Sequence, residues 1–407
     1  MKKAELLAPA GDLERLKVAI LYGADAVYIG GEEFSMRTAC ENFSPEDMKR
    51  GIDFAKERGK KVYVALNVIM RQSDMDVLGK YAESLQNMGV DGVIVSDLGA
   101  FSLIRKAAPR LPIHVSTQAN ITNAETAKMW YDMGAERVVL ARELTREEVV
   151  SIRKNTPSDL ELEMFVHGAM CVSYSGRCLL SNYLIGRDAN RGDCAQACRW
   201  KYTLMEEKRP GEYMPIIEND RGSYIFNAHD LCLLEFLPEI LDAGVMSLKI
   251  EGRVKSEYYV ATVVKAYRDE LDRYYADPKN YVLSEESLNL VRKVSHRRYS
   301  HGFWDGQAKN GCQYLESNSY VRNYQVTGMV TEEEDGFLRF VLKNKFSVGD
   351  TLEIMTPSGK TYEKTVTEIL DADGNSIPDA PHPMMTVRIP MEGSFPVYSM
   401  VRRQITD

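Results

Sequence analysis

The stretch MGVDGVIVSD, residues 88–97, ends a helical pattern on a glycine and then runs directly into an apolar, β-branched strand. The same figure recurs as YGADAVYIGG (22–31), MGAERVVLAR (133–142) and AGVMSLKIEG (243–252). In each, the glycine suits the left-handed residue that closes a helix. The run behind it lacks the polar alternation of a strand with one wet face, so it reads as buried on both sides. Working outward, AELLAP (4–9), KVYVALNV (61–68), IHVSTQ (113–118) and LEMFVHG (162–168) are runs of the same kind, with helical patterns between them. One of these helices is signed at its start, where Ser44 stands as N-cap three residues before Asp47. Eight β–α units predict a closed TIM-like (β/α)8 barrel over residues 1–277. A doubly wound open sheet is the alternative, but eight equivalent units favour closure.

Two departures from the repeat matter. Residues 169–229 form a long insertion between strand seven and DLCLLEFLPEILDAG (230–244), which reads as the helix of that unit. Loops that follow barrel strands lie on the C-terminal face, where the chemistry of this architecture occurs. A hairpin is expected within the insertion, turning at Asp220, Arg221 and Gly222. Residues 278–323 read as a helical and irregular connector. From 324 to 407 the pattern becomes short strands, such as FLRFVLKN and MMTVRIP, punctuated by turns such as TPSGK and DADGNS. That predicts a small antiparallel β-barrel.

Hydrophobic residues make up 44% of the 407 and charged residues 27%, the balance of a soluble globular chain. No apolar run is long enough for a membrane span, and the apolar stretch near the N-terminus is broken by Pro9, Gly11 and Asp12. A cytoplasmic location is the expectation. There disulfides are rare, and clustered cysteines more often bind metal or do redox work. The net charge of −8 argues against whole-surface attraction to nucleic acid but leaves room for a local basic patch.

Five of the seven cysteines, Cys171, Cys178, Cys194, Cys198 and Cys232, fall within 62 residues of the insertion and its exit. Their spacing is not the tight C-x2-C of a zinc ribbon or a bacterial ferredoxin. A long glycine-containing loop can still wrap four thiolates around a [4Fe–4S] cluster. Zinc is the alternative metal, and burial as small hydrophobes is the metal-free reading. Cys232, read at the opening of a helix, is either core or a replacement for Cys198 as fourth ligand. His167 beside the serines of HGAMCVSYSGRC invites a hydrolytic reading, but the stretch has no nucleophile elbow and the chain no H-E-x-x-H.

Polar residues at the predicted strand ends face a barrel's substrate. Asn67, Gln118, His167 and Glu251 are the pocket candidates, and Arg142 and Arg253 suit a small anionic substrate because a guanidinium pairs bidentately with carboxylate or phosphate. Arg177, Arg187, Arg191, Arg199, Trp200, Arg297 and Arg298 mix cations with an aromatic, a composition suited to unpaired RNA bases. No phosphate-binding glycine motif is present.

ELEMFVHGAMCVSYSGRCLLSNYLIGRDANRGDCAQACRW (161–200), with ELLAPAGDLERLKVAILYGADAVYIGG and AGVMSLKIEGRVKSEYYV, closely resembles the signature of peptidase family U32, the collagenase-like group. The resemblance extends over nearly the whole chain, and the C-terminal segment is similar to the small barrel of translation factors. The family name implies a protease. Other members are tRNA- and rRNA-hydroxylation proteins and the proteins of oxygen-independent ubiquinone hydroxylation, which carry [4Fe–4S] clusters. The resemblance to the tRNA group implies prephenate-dependent formation of 5-hydroxyuridine at the wobble position. It implies an anticodon stem-loop as partner and a cluster on Cys171, Cys178 and Cys194 with Cys198 or Cys232. A collagenase-like peptidase and a non-catalytic RNA-binding protein are the alternatives, and assembly with like or unlike subunits is open.

Overall fold

The computed structural model describes residues 3–34, 42–171, 178–200, 218–219, 222–223, 229–306 and 320–405. Seven parallel strands come first: β1 (Glu5–Pro9), β2 (Ala26–Ile29), β3 (Lys61–Leu66), β4 (Gly92–Val95), β5 (Ile113–Val115), β6 (Arg137–Val139) and β7 (Glu161–Ala169). The hairpin strands β8 (Glu218–Asn219) and β9 (Gly222–Ser223), then β10 (Asp230–Cys232) and β11 (Ser247–Ile250), follow. From β1 to β7 neighbours in sequence pair in parallel, and β11 pairs in parallel with both β7 and β1, which closes the eight-stranded barrel. The β8–β9 ladder brackets the expected turn at residues 220–221, which themselves lie outside the described residues.

Helices α1 (Leu13–Leu21), α2 (Pro45–Lys56), α3 (Gln72–Met88), α4 (Leu98–Ala107), α5 (Ala124–Asp132) and α6 (Arg146–Lys154) link the strands. They are followed by α7 (Leu180–Ile185) in the insertion, α8 (Leu237–Asp242), α9 (Glu257–Ala276) and α10 (Glu285–Arg292). The repeat of the sequence is visible in the backbone: Gly89 (φ 80°) and Gly134 (φ 99°) are left-handed where the repeat puts them. Ser44 caps α2 by accepting the Asp47 N–H at 3.1 Å. Alternate residues of the early strands divide between two cores. Leu6, Val27, Val62 and Val93 join the layer under the helices. Leu7, Ala26, Tyr28, Tyr63 and Ile94 fill the lumen.

The unit after β7 departs from the sequence reading. Residues 230–236 are not α-helical: β10 runs antiparallel to the end of β7, with Cys232 opposite His167, and a 3-10 helix, Leu234–Phe236, precedes α8. A buried ion pair holds this strand, because the Asp230 carboxylate accepts from Arg297 N, Nε and Nη2 at 3.0, 3.0 and 2.6 Å. The short strand β12 (Tyr299–Ser300) then adds to β10.

The C-terminal segment is antiparallel throughout. Its strands are β13 (Tyr324–Met329), β14 (Phe337–Leu342), β15 (Phe346–Ser347), β16 (Thr351–Met355), β17 (Thr361–Thr365), β18 (Ile369–Leu370), β19 (Ser376–Ile377), β20 (Asp379–Ala380), β21 (Thr386–Pro390) and β22 (Met400–Gln404). Eight of them form one sheet in the order β17-β16-β22-β13-β14-β21-β18-β19, a half-barrel around Leu338, Phe340, Leu352 and Val387, and β15 pairs with β20. β14, within the FLRFVLKN run read as a strand, alternates half-buried and buried residues. Tyr22, the residue that caps the end of α1, joins the two parts, its hydroxyl lying 2.8 Å from Met355 O and 2.9 Å from Tyr398 O. Among the described residues no helix is long and apolar enough to cross a membrane.

Candidate functional site at the barrel mouth

The lumen is not uniformly apolar. Arg137 of β6, Glu163 of β7 and Lys249 of β11 are all buried. Lys249 Nζ lies 2.7 Å from one Glu163 oxygen, and Arg137 Nη1 lies 3.0 Å from the other. Arg137 also donates to Glu5 at 2.7 Å and to Glu161 at 2.6 Å. Burial by itself would raise the Glu163 carboxyl, but Lys249 and then Arg137 outweigh it and hold it below the usual carboxylate range. Sequence reading missed this network. Its signal was a charged residue inside each of three otherwise apolar strands.

Above it, at the C-terminal strand ends, Phe165 carries the Arg142 guanidinium 3.7 Å from its ring centre. Arg142 Nη1 donates to Ala169 O at 2.7 Å, and Nη2 lies 3.5 Å from Glu251. Its Nε has no partner among the described residues. Arg253 is enclosed, 4% exposed, and donates to Asn42 Oδ1 at 3.0 Å. The two arginines expected to receive an anion are therefore already engaged by the protein, and Arg142 Nε is the atom left without a partner among the described residues.

The rim after β3 and β5 is built of amides. Ser116 N donates to Val95 O, and Ser116 Oγ accepts from Gln118 N at 3.3 Å and from Asn67 Nδ2 at 3.4 Å. Gln118 sits in a 3-10 turn, Thr117–Ala119, that closes on Asn120 in a left-handed conformation (φ 54°). The Thr117 hydroxyl donates to Leu140 O, so the turn is pinned to the next strand end. Both amide atoms of Gln118, together with Oδ1 of Asn67 and of Asn120, lack hydrogen-bond partners among the described residues. Buried polar groups are ordinarily satisfied, so this cluster marks a place for a ligand or for ordered water.

His167 does not belong to this rim, contrary to the sequence expectation. Pairing with β11 steps from Phe165–Lys249 to His167–Ile250, so Val166 is an extra residue and the in–out alternation reverses there. The imidazole turns away from the lumen into the rings of Tyr259, Tyr267 and Tyr299. The Tyr299 hydroxyl already donates to Val291 O, so His167 Nε2 is the donor in the 3.3 Å contact between them. Burial drives the imidazole pKa down to about 3. Cys232, opposite it in the ladder, has its thiol pushed up to about 11 by burial. A cysteine–histidine nucleophile needs the reverse, a lowered thiol beside an imidazolium.

The other four cysteines described all lie on the insertion side of the mouth. Cys171 and Cys194 are exposed, and Cys178 and Cys198 half-buried. Cys194 Sγ accepts the Gln196 N–H at 3.4 Å, the kind of contact that tunes thiolate ligands. Arg191 ties the loop to α3, with Nη1 and Nη2 on the two Asp74 oxygens at 2.7 and 3.0 Å. The donor set suits a thiolate-held group. Among the described residues, however, no three Cys, His, Asp or Glu side chains converge as a metal site. Residues 172–177, between the first two cysteines, lie outside the described residues.

The expected RNA-binding set divides. Arg297 is 4% exposed and bound to Asp230, so it is a structural residue. Arg191 serves Asp74, and Arg187 pairs with Asp193. Arg298 and Trp200 are exposed. Arg177 and the Arg199 side chain lie outside what is described.

A parallel barrel with a thiol-bearing loop over its C-terminal mouth, continued by an antiparallel half-barrel, defines a barrel protein whose chemistry sits at the strand ends. The chain belongs to peptidase family U32, whose profile matches residues 11–313, with that of the family's C-terminal domain matching residues 322–402. It is 38% identical over 404 residues to tRNA hydroxylation protein P1 of Bacillus subtilis (strain 168), covering 99% of this chain and 95% of that protein. It is 38% identical over 432 residues to tRNA hydroxylation protein P of Escherichia coli (strain K12), covering 96% and 94%. A 23S rRNA 5-hydroxycytidine synthase from the same E. coli strain is 39% identical over 295 residues, covering 72% of this chain and 42% of that protein.

Proposed function

We propose that this chain is an RNA-modifying enzyme that hydroxylates a pyrimidine base of transfer RNA, forming 5-hydroxyuridine at the wobble position. The observation that carries the reading is the near-complete, two-domain match to tRNA hydroxylation proteins, against a match of less than half the length of the rRNA enzyme. Cys171, Cys178 and Cys194, with Cys198 or Cys232, would hold a [4Fe–4S] cluster, which supplies one-electron transfer when bound. Prephenate, a dicarboxylate, is the co-substrate in this reading. Arg142 Nε is the donor left to meet a carboxylate, with Phe165 backing the guanidinium. A peptidase reading has no support in the His167–Cys232 pair, whose shifts oppose nucleophilic use.

The test is complementation. A strain lacking its own tRNA hydroxylation protein is given this chain, and tRNA nucleosides are analysed by mass spectrometry. Restored 5-hydroxyuridine is expected; unmodified uridine refutes the reading. Anaerobically purified protein should contain iron and acid-labile sulfide in equal amounts, and zinc in their place overturns the cluster. Separate Cys198→Ser and Cys232→Ser variants identify the fourth ligand by which one loses the iron.

A further inference from the structure

Resting on the reading of an RNA base as substrate, we infer that the carboxamide cluster centred on Gln118 is the base-reading subsite, and that it grips the N3 edge of the target pyrimidine. Gln118 is 8% exposed and both of its amide atoms lack partners among the described residues. Asn67 and Asn120 each contribute a further amide oxygen in the same condition. These groups are not loosely placed. Ser116 ties Asn67 to the Gln118 turn, and Thr117 ties that turn to β6. Asn120 takes a left-handed conformation that a non-glycine residue adopts at a cost. Strained backbone and unsatisfied buried amides together are what a preorganised ligand site looks like before it is filled.

The chemistry of the groups selects the ligand. A carboxylate or phosphate only accepts hydrogen bonds, and a cluster of neutral amides with several bare oxygens repels it. A carboxamide offers a donor and an acceptor side by side, whichever way it is turned. Its complement is a ring edge with the same alternation. Uracil has one: the N3–H donates to the Gln118 oxygen while O4 or O2 accepts from the Gln118 nitrogen. Gripping that edge leaves C5 and C6 on the far side of the ring, directed away from the amides. The reacting carbon is then exposed to the rest of the mouth, where Arg142 stands. The wobble base is unpaired in the anticodon loop, so it can enter without a duplex being opened.

The experiment is an equilibrium one that does not depend on turnover. Anaerobically purified full-length protein is titrated by fluorescence anisotropy with an anticodon stem-loop carrying either uridine or 3-methyluridine at the wobble position. Wild type should bind the methylated loop about tenfold more weakly, the worth of a lost hydrogen-bonded edge. Gln118→Leu should bind both loops equally, at the weaker level. Its thermal midpoint without RNA should equal or exceed that of wild type, because it removes two unsatisfied buried atoms; a structural glutamine would lower the midpoint. Equal binding of the two loops by wild type overturns the subsite, as does a Gln118→Leu protein that still discriminates. If wild type discriminates but the complemented strain makes no 5-hydroxyuridine, the subsite stands and the proposed reaction falls.

Discussion

Replacing Glu163 by Gln should cost the barrel about 3–5 kcal/mol, the range for breaking a buried ion pair from one side. Glu163 has no exposed surface and faces two cations, Lys249 at 2.7 Å and Arg137 at 3.0 Å. At an effective dielectric of about 20 each contact is worth on the order of 5–6 kcal/mol of gross attraction, and desolvation offsets much of that. The glutamine keeps the shape and one acceptor, so the loss is electrostatic. Arg137 retains Glu5 and Glu161. Among the described residues, Lys249 is left facing the rings of Tyr28 and Phe165, at 4.6 and 5.4 Å. Lys249 therefore bears most of the cost, and Lys249→Met added to Glu163→Gln should recover part of it. Differential scanning calorimetry of the single and double variants reads this directly. A loss of 3–5 kcal/mol lowers the midpoint by roughly 6–20 °C for a unit of this size, and the coupling between the two positions should exceed about 1 kcal/mol. A Glu163→Gln midpoint within about 2 °C of wild type, or strictly additive effects, would show that the lumen network does not hold the barrel as argued.

Other outcomes follow from single contacts. His167 is depressed from 6.5 to about 3, so between those values the unfolded chain binds a proton that the folded chain does not. Stability should therefore fall on acidification by about 1.4 kcal/mol per pH unit from this group and be flat above about pH 6.5. His167→Gln should remove that part of the slope in urea melts, and an unchanged slope contradicts the buried, neutral imidazole. Tyr22→Phe deprives the buried Met355 O and the part-buried Tyr398 O of their shared hydroxyl. The loss of about 1–3 kcal/mol should appear as a C-terminal half-barrel that melts ahead of the parallel barrel, and a single unshifted transition counts against it. Arg191→Ala removes the bidentate clamp on Asp74, so trypsin should cut within residues 178–200 several-fold faster while far-ultraviolet circular dichroism stays unchanged.

Period and punctuation carried the architecture into the sequence. Each helix-ending glycine followed by a doubly buried strand is a local signal, because backbone handedness and burial on both faces are decided within about ten residues. Eight such units allow few arrangements other than a closed barrel, and the alternating strands after residue 324 allow few other than an antiparallel sheet. The thiol-rich loop was likewise readable as a position, since it follows β7 and must emerge at the mouth. What neighbours do to one another was not readable. One extra residue at Val166 turned His167 from the lumen to a nest of tyrosines. Asp230 reaches Arg297, 67 residues away, and β10 pairs with the end of β7 where local pattern indicated a helix. Arg297, Arg191 and Arg142 are identical in sequence to free cations, and only the carboxylates and carbonyls brought beside them by the fold show that they are engaged. Conversely, Gln118 was one polar strand end among several until the fold enclosed it without a partner among the described residues. Sequence alone determines what is periodic and local. Which polar groups are satisfied depends on pairings across the barrel, and these exist only once it has closed.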